Sequence, residues 1–91
     1  MKFFYHITFS DGSNPYFSLP AEAEVQIKAI KKWMKKFPMS KYDIFAGNYK
    51  ISNTTYSTWV VYKCGNYVDT PLKKYSYLAS AVKYLKKILE G

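Results

Sequence analysis

Twice along this chain the spacing of apolar residues changes from every second position to the three-and-four spacing of a helix, and that repeated switch narrows the available folds. Phe3, Tyr5, Ile7 and Phe9 alternate with Phe4, His6, Thr8 and Ser10, the period of a strand with one buried face. Asp11-Gly12-Ser13-Asn14 is turn chemistry, and Pro15-Tyr16-Phe17-Ser18 can return as a short second strand. Pro15 confines that strand to an edge or to a first position. From Pro20 to Phe37 the period becomes helical: Ala23, Ile27, Ile30, Met34 and Phe37 share one side, and Lys28, Lys31, Lys32, Lys35 and Lys36 the other. Ser18 can cap this helix, Pro20 suits its first turn, Glu22 and Glu24 favour its positive end, and Pro38 stops it.

Gly followed by Asn then occurs twice, in Ala46-Gly47-Asn48-Tyr49 and Cys64-Gly65-Asn66-Tyr67. Glycine at the first central position suits a two-residue hairpin. The first turn would pair Tyr42–Ala46 with Tyr49–Ser52, and the second Thr58–Cys64 with Tyr67–Thr70. A competing reading makes Ser40–Ala46 a short helix, capped by Ser40 and closed by Gly47. Thr70-Pro71 is expected to break the sheet, with Lys73 and Lys74 leading into a second helix over 76–90. Its stripe is Leu78, Ala81, Val82, Leu85, Ile88 and Leu89, opposed by Lys83, Lys86 and Lys87.

Strand, turn, strand and helix thus occur in the same order at both ends. Matching Ile7 with Val60 and Phe9 with Tyr62 aligns the strands as a duplicated strand–strand–helix unit. The expected fold is α+β, a single domain over 1–91, with an antiparallel sheet of five or six short strands and two amphipathic helices packed on one face. The second unit resembles the hairpin–helix part of the arm-type DNA-binding domain of tyrosine integrases over about a third of the chain. Of that family's basic strand residues only Lys63 is present.

All fourteen basic residues are lysine, and against six acids they give a net charge of +8. Such a charge favours nucleic acid, an anionic membrane surface or an acidic protein. It also keeps a domain with ten tyrosines soluble, and a lysine bias without arginine fits an AT-rich coding sequence. Lysine neutralises phosphate as a point charge but lacks the planar fork that reads guanine. One cysteine excludes an internal disulfide and points to a reducing, cytoplasmic setting. The N-terminus lacks a signal peptide's apolar run. No stretch is long and apolar enough for a transmembrane helix, and the helices need their stripes for the core, which argues against surface attachment to a membrane.

Two surfaces follow as candidates. The first is the basic helix faces, Lys28, Lys31, Lys32, Lys35, Lys36, Lys83, Lys86 and Lys87, with Lys73 and Lys74 beside them. Aimed at a phosphate backbone they would bind in a salt-dependent way; otherwise they are a solvated face. The second lies on the uncovered side of the sheet. With Val60 and Tyr62 directed to the core, Trp59 and Lys63 would be outward beside Val68. Ile44 and Ile51 would face inward, leaving Phe45 and Lys50 outward. Phe45, Lys50, Trp59 and Lys63 would then form a stacking or partner-binding patch, unless the Ser40 region or a homodimer covers it.

Nothing marks a catalytic centre. His6 has no ligand partners at metal spacing. Cys64 has only His6 as a base, and the acids show no paired spacing. No catalytic residue, metal or cofactor is expected. The leading expectation is a small non-enzymatic nucleic-acid-binding protein that works by phosphate contact. The alternative is a phage- or mobile-element-encoded inhibitor that docks on a host nucleic-acid-handling or defence complex, similar in size and style to anti-CRISPR proteins.

Overall fold

The computed structural model describes residues 2–55 and 57–91. In chain order the elements are β1 (Phe4–Thr8), β2 (Tyr16–Phe17), α1 (Ala23–Lys36), β3 (Lys41–Ala46), β4 (Tyr49–Thr55), β5 (Thr58–Lys63), β6 (Thr70–Tyr75) and α2 (Leu78–Glu90). The strands form one six-stranded sheet in the order β2-β1-β3-β4-β5-β6, every neighbouring pair antiparallel. Both edge strands, β2 and β6, lead into helices. The strand–strand–helix unit therefore does occur twice, as β1-β2-α1 and β5-β6-α2.

Residues directly opposite on neighbouring strands share a face. Tyr5, Ile44, Ile51 and Val61 line up across four strands, and Trp59 stands opposite Tyr75. This is the helix side. Phe3, Ile7, Tyr42, Ile44, Ala46, Ile51, Trp59 and Val61 are buried there with Ala23 and Ile30 of α1 and Leu78, Ala81, Val82 and Leu85 of α2. A cross-link from Lys86 to Glu24 at 3.1 Å ties the end of α2 to the start of α1.

The Ala46–Tyr49 hairpin forms as its sequence predicts, with Gly47 at φ +58. The Ser40–Ala46 segment is not a helix: Lys41–Ala46 is strand. Four expectations are corrected. Ser18 does not cap α1: its hydroxyl accepts from Tyr5 N and donates to Gln26 Oε1, both at 2.9 Å, and α1 begins at Ala23 after Glu22. The return strand of the second hairpin is Thr70–Tyr75 and not Tyr67–Thr70. Between the strands Asp69 is drawn to Lys50 on β4 at 2.7 Å, which leaves Tyr67 and Val68 exposed. Pro71 does not break the sheet, because β6 is an edge strand with no partner to miss the N–H. A bulge shifts the register between Val61–Lys73 and Tyr62–Pro71.

The fourth correction concerns β5. Val61, not Val60, faces the helices, a slip of one residue that reverses every side chain on the strand. Trp59 is only 4% exposed and belongs to the core, and Lys63 sits on the helix side opposite Tyr49. Val60 and Tyr62 face the other way.

Gln26 is the most deeply buried polar side chain among the described residues, 2% exposed. Its Nε2 donates to Phe3 O at 2.7 Å and to Leu19 O at 2.9 Å. One side chain thus joins α1 to the start of β1 and to the irregular connector before the helix. Gln26→Leu leaves Leu19 O and the Ser18 hydroxyl without these partners. These bonds are part-buried, and each hydrogen bond lost costs about 0.5–1.5 kcal/mol net. The substitution is expected to lower the thermal midpoint by about 4 °C or more in a domain of this size, as read by circular dichroism.

Candidate nucleic-acid interface

The helices spend their apolar sides on the sheet, so their lysines face water. Lys28, Lys31, Lys32, Lys35 and Lys36 of α1 are all exposed, and none joins an ion pair among the described residues. From Lys28 to Lys36 the ridge covers about 12 Å of helix axis. The acids are engaged elsewhere. Glu22 binds Lys2 at 3.1 Å and Glu24 binds Lys86 at 3.1 Å. Asp69 binds Lys50, and Asp11 accepts from Ser13 N at 2.8 Å and Ser13 Oγ at 2.6 Å. Asp43 is buried on the opposite side of the sheet, where Ser52 Oγ donates to it.

Glu24 and Glu90 line one groove between the helices together with Lys83, Lys86 and Lys87. That end of the helix layer is partly neutralised, and Lys86 is its most committed cation. The α1 ridge beyond it carries no carboxylate from residue 25 to 37.

β6 divides its two lysines. Lys73 lies on the helix side opposite Val61, and Lys74 lies on the open side opposite Val60. Lys73 Nζ stands 5.9 Å from the Tyr75 ring centre and 5.8 Å from that of Tyr84. It shares a cleft with Lys83 and Lys87.

The open face holds two rows of side chains. One runs Phe4, Phe45, Lys50, Tyr62 and Pro71; the other runs Phe17, His6, Asp43, Ser52, Val60 and Lys74. Phe45 and Lys50 are outward as the sequence predicts, and their aromatic company is Phe4, Phe17 and Tyr62 in place of Trp59. Phe4 packs 4.8 Å from Phe17 and stacks on Phe45 at 5.7 Å, while Phe17 stays 60% exposed. Lys50 lies 5.4 Å over the Tyr62 ring. Phe4 and Phe17 are legible in the sequence only as the off-phase positions of two strands, so their cluster was missed.

A second aromatic group surrounds the end of α1. Tyr16 lies 4.6 Å from Trp33, and Phe9 lies 5.0 Å from Phe37. Trp33 Nε1 donates to Tyr5 Oη at 3.0 Å, which fixes the indole. Tyr42 Oη donates to Phe37 O at 2.6 Å and closes the helix.

His6, Asp43 and Ser52 stand side by side on β1, β3 and β4. A Ser-His-Asp hydrolase needs the imidazole in the middle, next to the hydroxyl whose proton it takes. Here the carboxylate is in the middle. Cys64 follows β5, three strands away from β1 and four residues beyond Val60, the residue in register with His6, which puts it more than about 14 Å from His6 at ordinary strand spacing. Burial, and then the Asp69 charge, push its thiol above the usual value and away from the thiolate. Among the described residues no group of three His, Cys, Asp or Glu could hold a metal, and no helix is long and apolar enough to cross a membrane.

Lys50 and Asp69 join the open face to the loop before β6, and each shifts the other. The hydrogen bond from Lys50 holds the Asp69 carboxyl below its ordinary value of 3.8, and the bond to Asp69 holds Lys50 above 10.5. A carboxylate with a depressed folded pKa contributes stability above its unfolded value and loses it as pH falls through the folded value. Asp69→Asn is therefore expected to lower the thermal midpoint at neutral pH, and the gap to the wild type should close well below pH 3.8. Melts at the two pH values check this. Comparison of the chain with protein-family models, curated proteins and solved structures finds no match.

Proposed function

We propose that this is a non-enzymatic nucleic-acid-binding domain that holds the phosphate backbone on its helix layer. The observation that carries the reading is the α1 ridge of five exposed lysines with no ion pair among the described residues. Its length is close to the roughly 12 Å width of a DNA major groove, so its ammonium groups can meet phosphates on both sides of one. Lys83 and Lys87 extend the same surface on α2. Contacts of this kind fix position and carry affinity while leaving base identity unread. The absence of arginine fits that division.

The test is a polarisation titration with random duplex and single-stranded DNA and RNA at about 50 and about 200 mM salt. Micromolar binding is expected, weakening on the order of a hundredfold between the two salts if about four phosphates are neutralised. Replacing Lys28, Lys32, Lys35 and Lys36 together by Glu should abolish duplex binding while the far-ultraviolet circular dichroism stays native. Absence of binding at the lower salt, or unchanged duplex binding by that variant, overturns the reading.

The exposed Phe17 beside Phe4 and Phe45 favours a second reading. In it the protein is an inhibitor encoded by a phage or mobile element, docking through the open face on a host nucleic-acid-handling or defence complex as anti-CRISPR proteins do. Its signature is a complex with such an assembly that survives moderate salt and is lost in Phe17→Ser with Phe45→Ser. A complex indifferent to both residues counts against it.

A further inference from the structure

The cleft between edge strand β6 and helix α2 has a volume of about 920 Å³. Lys73 and Tyr75 supply its strand wall, and Lys83, Tyr84 and Lys87 its helix wall. Lys83 and Lys87 are one helical turn apart and so project side by side. Glu24 and Glu90 lie in the neighbouring groove, whose border with the cleft is formed by Lys83 and Lys87. Among the described residues no acidic side chain lines the cleft.

Two kinds of chemistry therefore converge. Three ammonium groups supply charge for phosphates, and two tyrosine rings, 5.8 Å apart and inclined at 48°, supply flat apolar surface. Lys73 rests over both rings at less than 6 Å, the distance at which a cation is held by the ring quadrupole. It is exposed and long, so it can swing to an incoming phosphate and leave a ring face free. A base stacked on tyrosine between lysines that hold its phosphates is the general means of gripping an unpaired strand. A duplex keeps its bases stacked on one another and offers this cleft phosphates only.

We propose that the cleft between β6 and α2 binds single-stranded nucleic acid, with one base against Tyr84 and Tyr75 and the adjoining phosphates on Lys73, Lys83 and Lys87. This rests on the nucleic-acid reading above and adds a preference for unpaired strands, seated beside the α1 ridge on the far side of Lys83 and Lys87.

The experiment compares a fluorescein-labelled oligothymidylate with a duplex of equal length, at fixed salt, for the wild type, Tyr84→Leu and Tyr84→Phe. Tyr84→Leu is expected to weaken the single strand about tenfold and to leave the duplex within about twofold, while Tyr84→Phe, which keeps the ring, restores single-strand binding. Equal losses on both ligands, or no loss on either, overturn the cleft and leave the α1 reading standing. Failure of the wild type to bind either ligand overturns both. Should Tyr84→Leu melt below the assay temperature, Tyr75→Leu is measured by the same criterion.

Discussion

One constraint organises this molecule: a single sheet can bury only one face against two helices, and that face must take nearly all the apolar surface available. The stripes of α1 and α2 are consumed by Ile7, Ile44, Ile51, Val61 and their neighbours. What remains of each helix is its opposite side, written in lysine. The candidate surface is thus the remainder of the folding solution. Hydrophobic burial drives the helices down, and the same act lifts the lysines into water.

The uncovered face of the sheet obeys a second consequence. With no helix above it, its aromatics shelter one another: Phe4 lies between Phe17 and Phe45, and Tyr62 lies under Lys50. The sheet's edges are closed to further strands. β2 is only two residues long and follows Pro15, and β6 carries Pro71, a bulge, Lys73 and Lys74. Short strands, proline, lysine and bulges are the usual guards against edge-to-edge pairing. The candidate surfaces are therefore faces and not edges: the lysine ridge, the β6–α2 cleft and the phenylalanine cluster.

How much of this was legible follows from where side chains carry unequal information. β1 alternates strongly and α1 is amphipathic from end to end, so both were readable. Gly47 fixed a hairpin because two residues leave one register, and with it Ile44 and Ile51 inward, Phe45 and Lys50 outward. β5 was not readable, because Trp59-Val60-Val61-Tyr62 is apolar on both faces and its phase rests on the β4–β5 connection, which has no glycine or proline to announce its length. Aligning Val60 with Ile7 chose the wrong phase, and with it went Trp59 and Lys63. The open face needed the strand order itself. Phe4, Phe17 and Phe45 come from three parts of the chain and meet only because β1 sits between β2 and β3. The cleft was hidden for the same reason: Lys73 and Lys74 look like one basic pair until a strand sends them to opposite faces.

The α1 ridge carries its own energetic argument. Lys28 and Lys32, Lys31 and Lys35, and Lys32 and Lys36 are four residues apart, and Lys28 and Lys31, and Lys32 and Lys35, are three apart. Each like-charge pair at these spacings costs a helix about 0.2–0.5 kcal/mol. Glu24, the acid best placed to offset Lys28, is turned to Lys86 instead. The negative end of the helix dipole relieves Lys35 and Lys36 in the last turn, but not Lys28, Lys31 or Lys32. A solvated face needs no such concentration, since alternating acids and lysines would be as soluble and would stabilise the helix. A ridge that repels itself in the free protein gains from any polyanion laid along it, because the same charges that oppose one another are each matched by a phosphate.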